Sequence, residues 1–253
     1  MLLRRFTQHV TDQNWFAVVL DFVIVVIGVF MGLQVQEWAS NRQLEQQKTE
    51  YLSELREEIT LNVSLFRGRL ETMTHVLESG ERAIAFLEAD EQCDAECWPI
   101  FVDFFNASQV LFSPVTKTVY EEMQRLGLMR SKSVKGVVEP FYVLSETLLS
   151  GLDSSPAYRQ RFRKMISARA HKSFWQTCHR MDGVIEYLVA DCPLGISEQE
   201  VVILVEKIRE DSAIEDELNY WVGMHFFYMP IFEDLITYGK SAIDAIDLAL
   251  ADR

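Results

Sequence analysis

Among the residues able to do chemistry, Asp21 is the most isolated. It interrupts the run FAVVLDFVIVVIGVFMGL, Phe16 to Leu33, which is otherwise apolar. A carboxylate inside hydrocarbon costs several kcal/mol, and its default reading is functional, as an ion or proton relay. It also stands six residues past Trp15, ~9 Å along a helix, from where its side chain can reach the interface or meet Arg4 or Arg5.

Four cysteines form a second candidate group: Cys93, Cys97, Cys178 and Cys192. An even set suits disulfides. Cys178 and Cys192 flank HRMDGVIEYLVAD, which reads as an excursion between helices. A bridge across it would restrict the unfolded chain by about 3 kcal/mol and require an oxidising compartment. Free thiols are one alternative. Zinc is another, with His179 beside Cys178, but the spacing of Cys93 and Cys97 is not that of the usual knuckles. Disulfides lead, and they favour a bacterial periplasm.

A third group is basic. Arg159, Arg161, Arg163, Lys164, Arg169 and Lys172 occur between Asp153 and Asp182 with no acid among them. They offer a docking face for an acidic partner or for phospholipid headgroups; the other reading is that they neutralise neighbouring acidic helices. The chain as a whole has 24 Lys and Arg against 38 Asp and Glu, a net charge of −14, so nucleic acid is not an expected partner. No nucleophile elbow, HExxH, P-loop or glycine-rich dinucleotide turn occurs. No catalytic residue, metal site or cofactor is nominated, and the expectation is a non-enzymatic protein.

The apolar run must be positioned by a membrane. Its eighteen residues span ~27 Å as a helix, bracketed by Trp15 and Trp38 in the manner of aromatic belts. The domains expected are a short interfacial segment over 1–14, a transmembrane helix over 15–38 and an acidic helical domain over 39–253. Arg4 and Arg5 favour a cytoplasmic N-terminus. Arg42, Lys48 and Arg56 oppose it, and the cysteines decide for a periplasmic domain. Gly28 and Gly32 make a GxxxG pair on one stripe, a candidate helix-association face for a homo-oligomer.

With only eleven Gly and six Pro, and apolar residues at steps of three and four, the fold class is all-α. The spanning helix is expected to run on into a long coiled-coil-like helix with a seam from Leu52 to Leu87. A last helix with a stripe from Leu218 to Leu250 should pack antiparallel against it. His225 on that stripe reads as a hydrogen-bonded core histidine, and Pro230 should kink or split the helix. Helices are predicted over Pro114–Leu126 with Gly127 as a stop, over Ser133–Leu149, from Ser155-Pro156 to about Arg180, and from the capping box at Ser197 to Arg209.

Three stretches carry a resemblance: LDFVIVVIGVFMGLQVQEW with NRQ after it; SPVTKTVYEEMQRLGLMRSKSV leading to PFY; and Cys178 with Cys192 followed by PLGIS. Together they resemble a family of bacterial inner-membrane proteins of unknown function, with one span and a helical external domain. That resemblance implies no catalytic residues, and Cys93 and Cys97 are additional to its pattern. The function expected is a membrane-anchored periplasmic interaction, scaffold or sensing protein, with the bilayer and another envelope protein or a second copy as partners. The alternative is an ion-coupled subunit using Asp21, similar to the single-span partners of proton-driven stators or of transport complexes.

Overall fold

The computed structural model describes residues 15–90, 92–110, 115–151, 156–183, 185–189, 191–193 and 195–252. The segment expected over 1–14 lies outside them. The chain divides into two units, Met1–Tyr51 and Leu52–Arg253. The first helix, α1, spans Trp15–Glu88 and contributes to both.

In the first unit, the large apolar side chains from Val19 to Val35 are 42–68 % exposed. Among the described residues this is the one helix apolar and long enough to cross a membrane, with a mean hydropathy of 1.7 in its apolar window.

The second unit is an all-α bundle. It comprises the rest of α1, then α2 (Trp98–Ala107), α3 (Thr118–Arg125), α4 (Lys132–Gly151), α5 (Ala157–Met165), α6 (Ala168–Thr177), α7 (Glu198–Arg209) and α8 (Ile214–Ala251). Leu55, Ile59, Val63, Phe66 and Met73 of α1 are buried, as are Leu218, Val222, Phe232, Leu235 and Ile246 of α8. Those two stripes meet in opposite directions. Arg56 pairs with Asp247, Phe66 lies 6.1 Å from Phe232, and Gly80 lies under Val222. Residue numbers rise along one helix as they fall along the other, so the expected antiparallel pairing is present. At Gly239 the helices approach so closely that a Cβ would collide with Val63 and stand 2.9 Å from Phe141.

Helix α4 packs along α8 and inserts Phe141 edge-on against Phe66. A second part of the core gathers Phe101, Phe104 and Phe105 of α2 with Phe162 of α5 and Phe174 of α6. Each such ring contributes about 1.5–3 kcal/mol on burial.

Several boundaries differ from those predicted. Helix α3 begins at Thr118, because α1 holds the preceding backbone open: Asn62 donates to the Thr116 carbonyl at 2.6 Å and accepts its amide at 3.0 Å. Pro114 lies outside the described residues. The helix predicted to reach Arg180 is two helices, since Ser167 turns extended and accepts the Ala170 amide as an N-cap. The excursion between Cys178 and Cys192 is an antiparallel hairpin, β1 (His179–Asp182) and β2 (Ile185–Leu188), with His179 opposite Leu188. Helix α8 runs unbroken through Pro230. The Ser197 cap is present, and Gly127 ends α3 with φ +64.

Candidate functional site

Asp21 falls within α1, and its side chain is outside what is described. At Gly28 and Gly32 a Cβ would meet nothing within 4 Å among the described residues.

The sulfurs stand at bonding distance in both cysteine pairs, 2.05 Å for Cys93–Cys97 and 2.01 Å for Cys178–Cys192. The pairs sit together. Trp98, next to Cys97, donates its indole N–H to the Cys192 carbonyl at 2.8 Å.

The six basic residues divide among three environments. Arg159 and Arg163 turn to the C-terminal end of α2: Arg159 donates to the Ser108 carbonyl at 2.6 Å, and Arg163 donates to the Ser108 hydroxyl at 2.7 Å while lying 3.4 Å over the Phe105 ring. The negative end of a helix favours cations there, although burial pushes the Arg163 guanidinium down to about 8. Arg161 pairs with Glu217 at 2.9 Å and Asp211 at 3.3 Å, and Arg169 pairs with Glu200. Lys164 and Lys172 are exposed.

The structure brings together a set that reading the sequence missed. Along one face of α1, His75, Glu78, Ser79 and Arg82 follow helical spacing and line a cleft of about 330 Å³. Asp103 and Asn106 of α2 form the opposite side, and Asp191, just past the hairpin, closes it. Arg82 spans the cleft to Asp103 through two hydrogen bonds, Nε to Oδ2 at 3.0 Å and Nη2 to Oδ1 at 2.7 Å, and also donates to Ser79 at 3.2 Å. The hydrogen bonds to Asp103 hold its pKa above the usual guanidinium value. Asn106 is 2 % exposed, and its amide oxygen, itself enclosed, has no hydrogen-bond partner among the described residues. Such an acceptor costs about 1–3 kcal/mol when left unmade.

The third wall is held from several directions. Thr72 of α1 donates to the Glu186 carbonyl at 2.8 Å, the Cys178–Cys192 bridge closes the hairpin, and Trp98 fixes the Cys192 carbonyl beside Asp191. No three His, Cys, Asp or Glu among the described residues are grouped so as to hold a metal ion. The Ser79 hydroxyl accepts a hydrogen bond from Arg82. What the cleft offers is recognition by fixed hydrogen-bonding groups.

No protein-family model, curated protein or solved structure matches the chain. The geometry of the chain itself therefore carries the functional reading. A polar row at positions 75, 78, 79 and 82, together with two polar residues in the otherwise apolar WPIFVDFFNA, was the signal available in the sequence.

Proposed function

We propose that the protein is a single-pass bacterial inner-membrane protein with its N-terminus in the cytoplasm and its helical domain in the periplasm, serving as an interaction, scaffold or sensing module. The observation that carries this reading is the run Val19–Val35, whose large apolar side chains are all exposed. At ~25 cal/mol for each Å² of apolar surface, leaving such a run in water is unfavourable, and a bilayer removes that cost. The two disulfides support an oxidising compartment. The cleft between α1, α2 and the hairpin supports binding as the domain's task.

Alkaline carbonate extraction of bacterial membranes, followed by ultracentrifugation, tests the anchor: the intact chain should stay in the pellet, and recovery in the supernatant would overturn the reading. Crosslinking in intact cells tests the interaction. A specific envelope partner should be captured; recovery of the protein alone, with unchanged envelope behaviour on deletion, would count against a scaffold or partner-sensing role.

A further inference from the structure

Between α5 and α8 lie two adjoining cavities that share Ala157 and Glu217 in their walls. The first, of about 370 Å³, is lined mainly by apolar and aromatic groups: Pro156 ahead of α5, and Tyr220, Trp221, Met224 and Tyr228 along α8. One wall is fixed, since Trp221 is buried and donates its indole N–H to the Ala107 carbonyl at 2.9 Å. Tyr220, by contrast, is 72 % exposed. An open, preformed apolar cavity of this size is the usual setting for a small ligand.

The second cavity, of about 690 Å³, has a different chemistry. Lys164 of α5 lines it, and Lys207 crosses from α7 to donate to the Met165 carbonyl at 3.1 Å, bringing a second ammonium to the same space. Its two acids are both turned to Arg161, Glu217 at 2.9 Å and Asp211 at 3.3 Å. An incoming group therefore meets the two lysines. The remaining lining acid, Asp216, stands on the wall of the apolar cavity, so negative charge is favoured at the lysine end of the groove and disfavoured at the other.

A ligand complementary to both cavities has an apolar body and one anionic end. A small free anion would leave the aromatic wall unused, and a peptide would bring backbone amides to a surface with few partners for them. From Glu217 to Tyr228 the apolar wall follows α8 for ~16 Å, which suits an extended chain. We propose that this groove binds a long-chain fatty acid, with its acyl chain along α8 toward Tyr228 and its carboxylate between Lys164 and Lys207. Burial of the chain supplies the attraction, and the lysines set its direction. This goes beyond the interaction reading and does not rest on the membrane anchor.

Photolabelling of the full chain in lipid nanodiscs with a diazirine fatty acid, followed by peptide mass spectrometry, tests it. Label is expected on Tyr220, Met224 and Tyr228, saturable and competed by dodecanoate. Label on Val19–Val35 from probe dissolved in the bilayer serves as the internal reference; a chain that does not enter the discs would sink the anchor reading, and the same labelling in solution would still decide this one. Lys164→Glu and Lys207→Glu, both at exposed positions, should each lower labelling of the groove about threefold against that reference, the scale of an exposed ion pair. Ala157→Trp, at an exposed position where the two cavities meet, should block the groove with helix content unchanged.

Absence of competed label in the groove would overturn the proposal, as would label indifferent to Ala157→Trp. Equal labelling by a diazirine alkylamine of the same length would overturn the anionic class. A chain-to-chain crosslink through Tyr220 in place of the lipid label would assign the groove to a second copy and overturn it as well.

Discussion

Tyr142 donates its phenolic hydrogen to Glu58 at 2.6 Å, and this contact ties α4 to α1 beneath the start of α3. The same carboxylate accepts the Val119 amide at 2.8 Å and the Tyr120 amide at 3.2 Å. Glu58 thereby does from a neighbouring helix what an N-cap residue does locally, satisfying two amides of the first turn and placing negative charge where the helix dipole favours it. Three helices depend on one buried acid.

Removing that acid should therefore cost more than an ordinary surface substitution. Glu58→Ala strips partners from two amides and a buried phenol, and is expected to destabilise the domain by about 2–4 kcal/mol. Tyr142→Phe leaves both amide contacts in place and should cost about 1 kcal/mol. Urea unfolding followed by circular dichroism separates the two. Equal effects would mean that the acid acts only through the tyrosine.

The same contact sets a response to high pH. Burial, followed by the hydrogen bond to Glu58, raises the Tyr142 pKa far above its ordinary value; burial does the same to Tyr158, whose hydroxyl donates to the Phe104 carbonyl at 2.8 Å. A phenol whose pKa is higher in the folded than in the unfolded state supports the fold fully below the unfolded value of ~10, and that support is lost as the pH rises beyond it. Of eight tyrosines, Tyr142 and Tyr158 should ionise only together with unfolding. Absorbance at 295 nm recorded alongside circular dichroism should show a late phenolate step coincident with loss of helix. A step that precedes unfolding would contradict the burial argument.

Legibility followed periodicity. The stripes of α1 and α8 are long enough for steps of three and four to identify both helices, their pairing and the burial of His225, which is 5 % exposed and bonded through Nδ1 to the Trp221 carbonyl at 2.9 Å. Short elements escaped. Four-residue strands at His179 and Ile185 contain too few residues to display alternation. Ser167 lies in a basic run with no Gly or Pro to announce a break. Pro230 sits on the exposed side of α8, and of the kink or split it signalled the split is not found: the helix continues through it. The cleft was hidden for a different reason. A polar row on a helix is ordinarily a solvated face, and only the packing of α2 and the bridged hairpin across this row encloses it.

Arg69 is a buried cation in a largely apolar setting. It is 6 % exposed, its Nε and Nη1 make no hydrogen bond among the described residues, and its guanidinium lies 5.2 Å from the centre of the Phe232 ring. Burial pushes its pKa down to about 10. Below that pH folding must desolvate the charge, so Arg69→Met is expected to stabilise the domain at pH 7 by about 1–3 kcal/mol. The His225 pKa, lowered first by burial and also by the Arg69 charge, should move back toward its ordinary value in the same variant. Thermal unfolding and histidine ring NMR would check the two effects. A loss of stability would mean that the guanidinium makes a contact worth more than its desolvation.

The disulfides should not contribute equally. Cys178 and Cys192 are 14 apart in sequence and Cys93 and Cys97 only 4, so chain entropy assigns about 3 kcal/mol to the longer loop and about 2 kcal/mol to the shorter. The double variant Cys178→Ser/Cys192→Ser should lower the melting temperature more than Cys93→Ser/Cys97→Ser. It should also loosen the hairpin, seen as faster amide exchange at Tyr187. A larger effect from the shorter loop would show that packing around Cys97, not loop closure, dominates.

The close approach of α1 and α8 at Gly239 provides the sharpest test of the bundle. A Cβ on Gly239 would overlap Val63 and press on Phe141, two residues that are themselves buried. Overpacking of this kind costs about 1–3 kcal/mol. Gly239→Ala should therefore destabilise the domain, although alanine is the better helix former by nearly 1 kcal/mol. Adding Val63→Ala removes the colliding methyls while leaving a smaller cavity. The double variant should recover part of the loss, so that the two substitutions couple rather than add. Equilibrium unfolding of the two single variants and the double one measures that coupling. Simple additivity would mean that Val63 and Gly239 do not meet, and the antiparallel register of α1 on α8 would have to be redrawn.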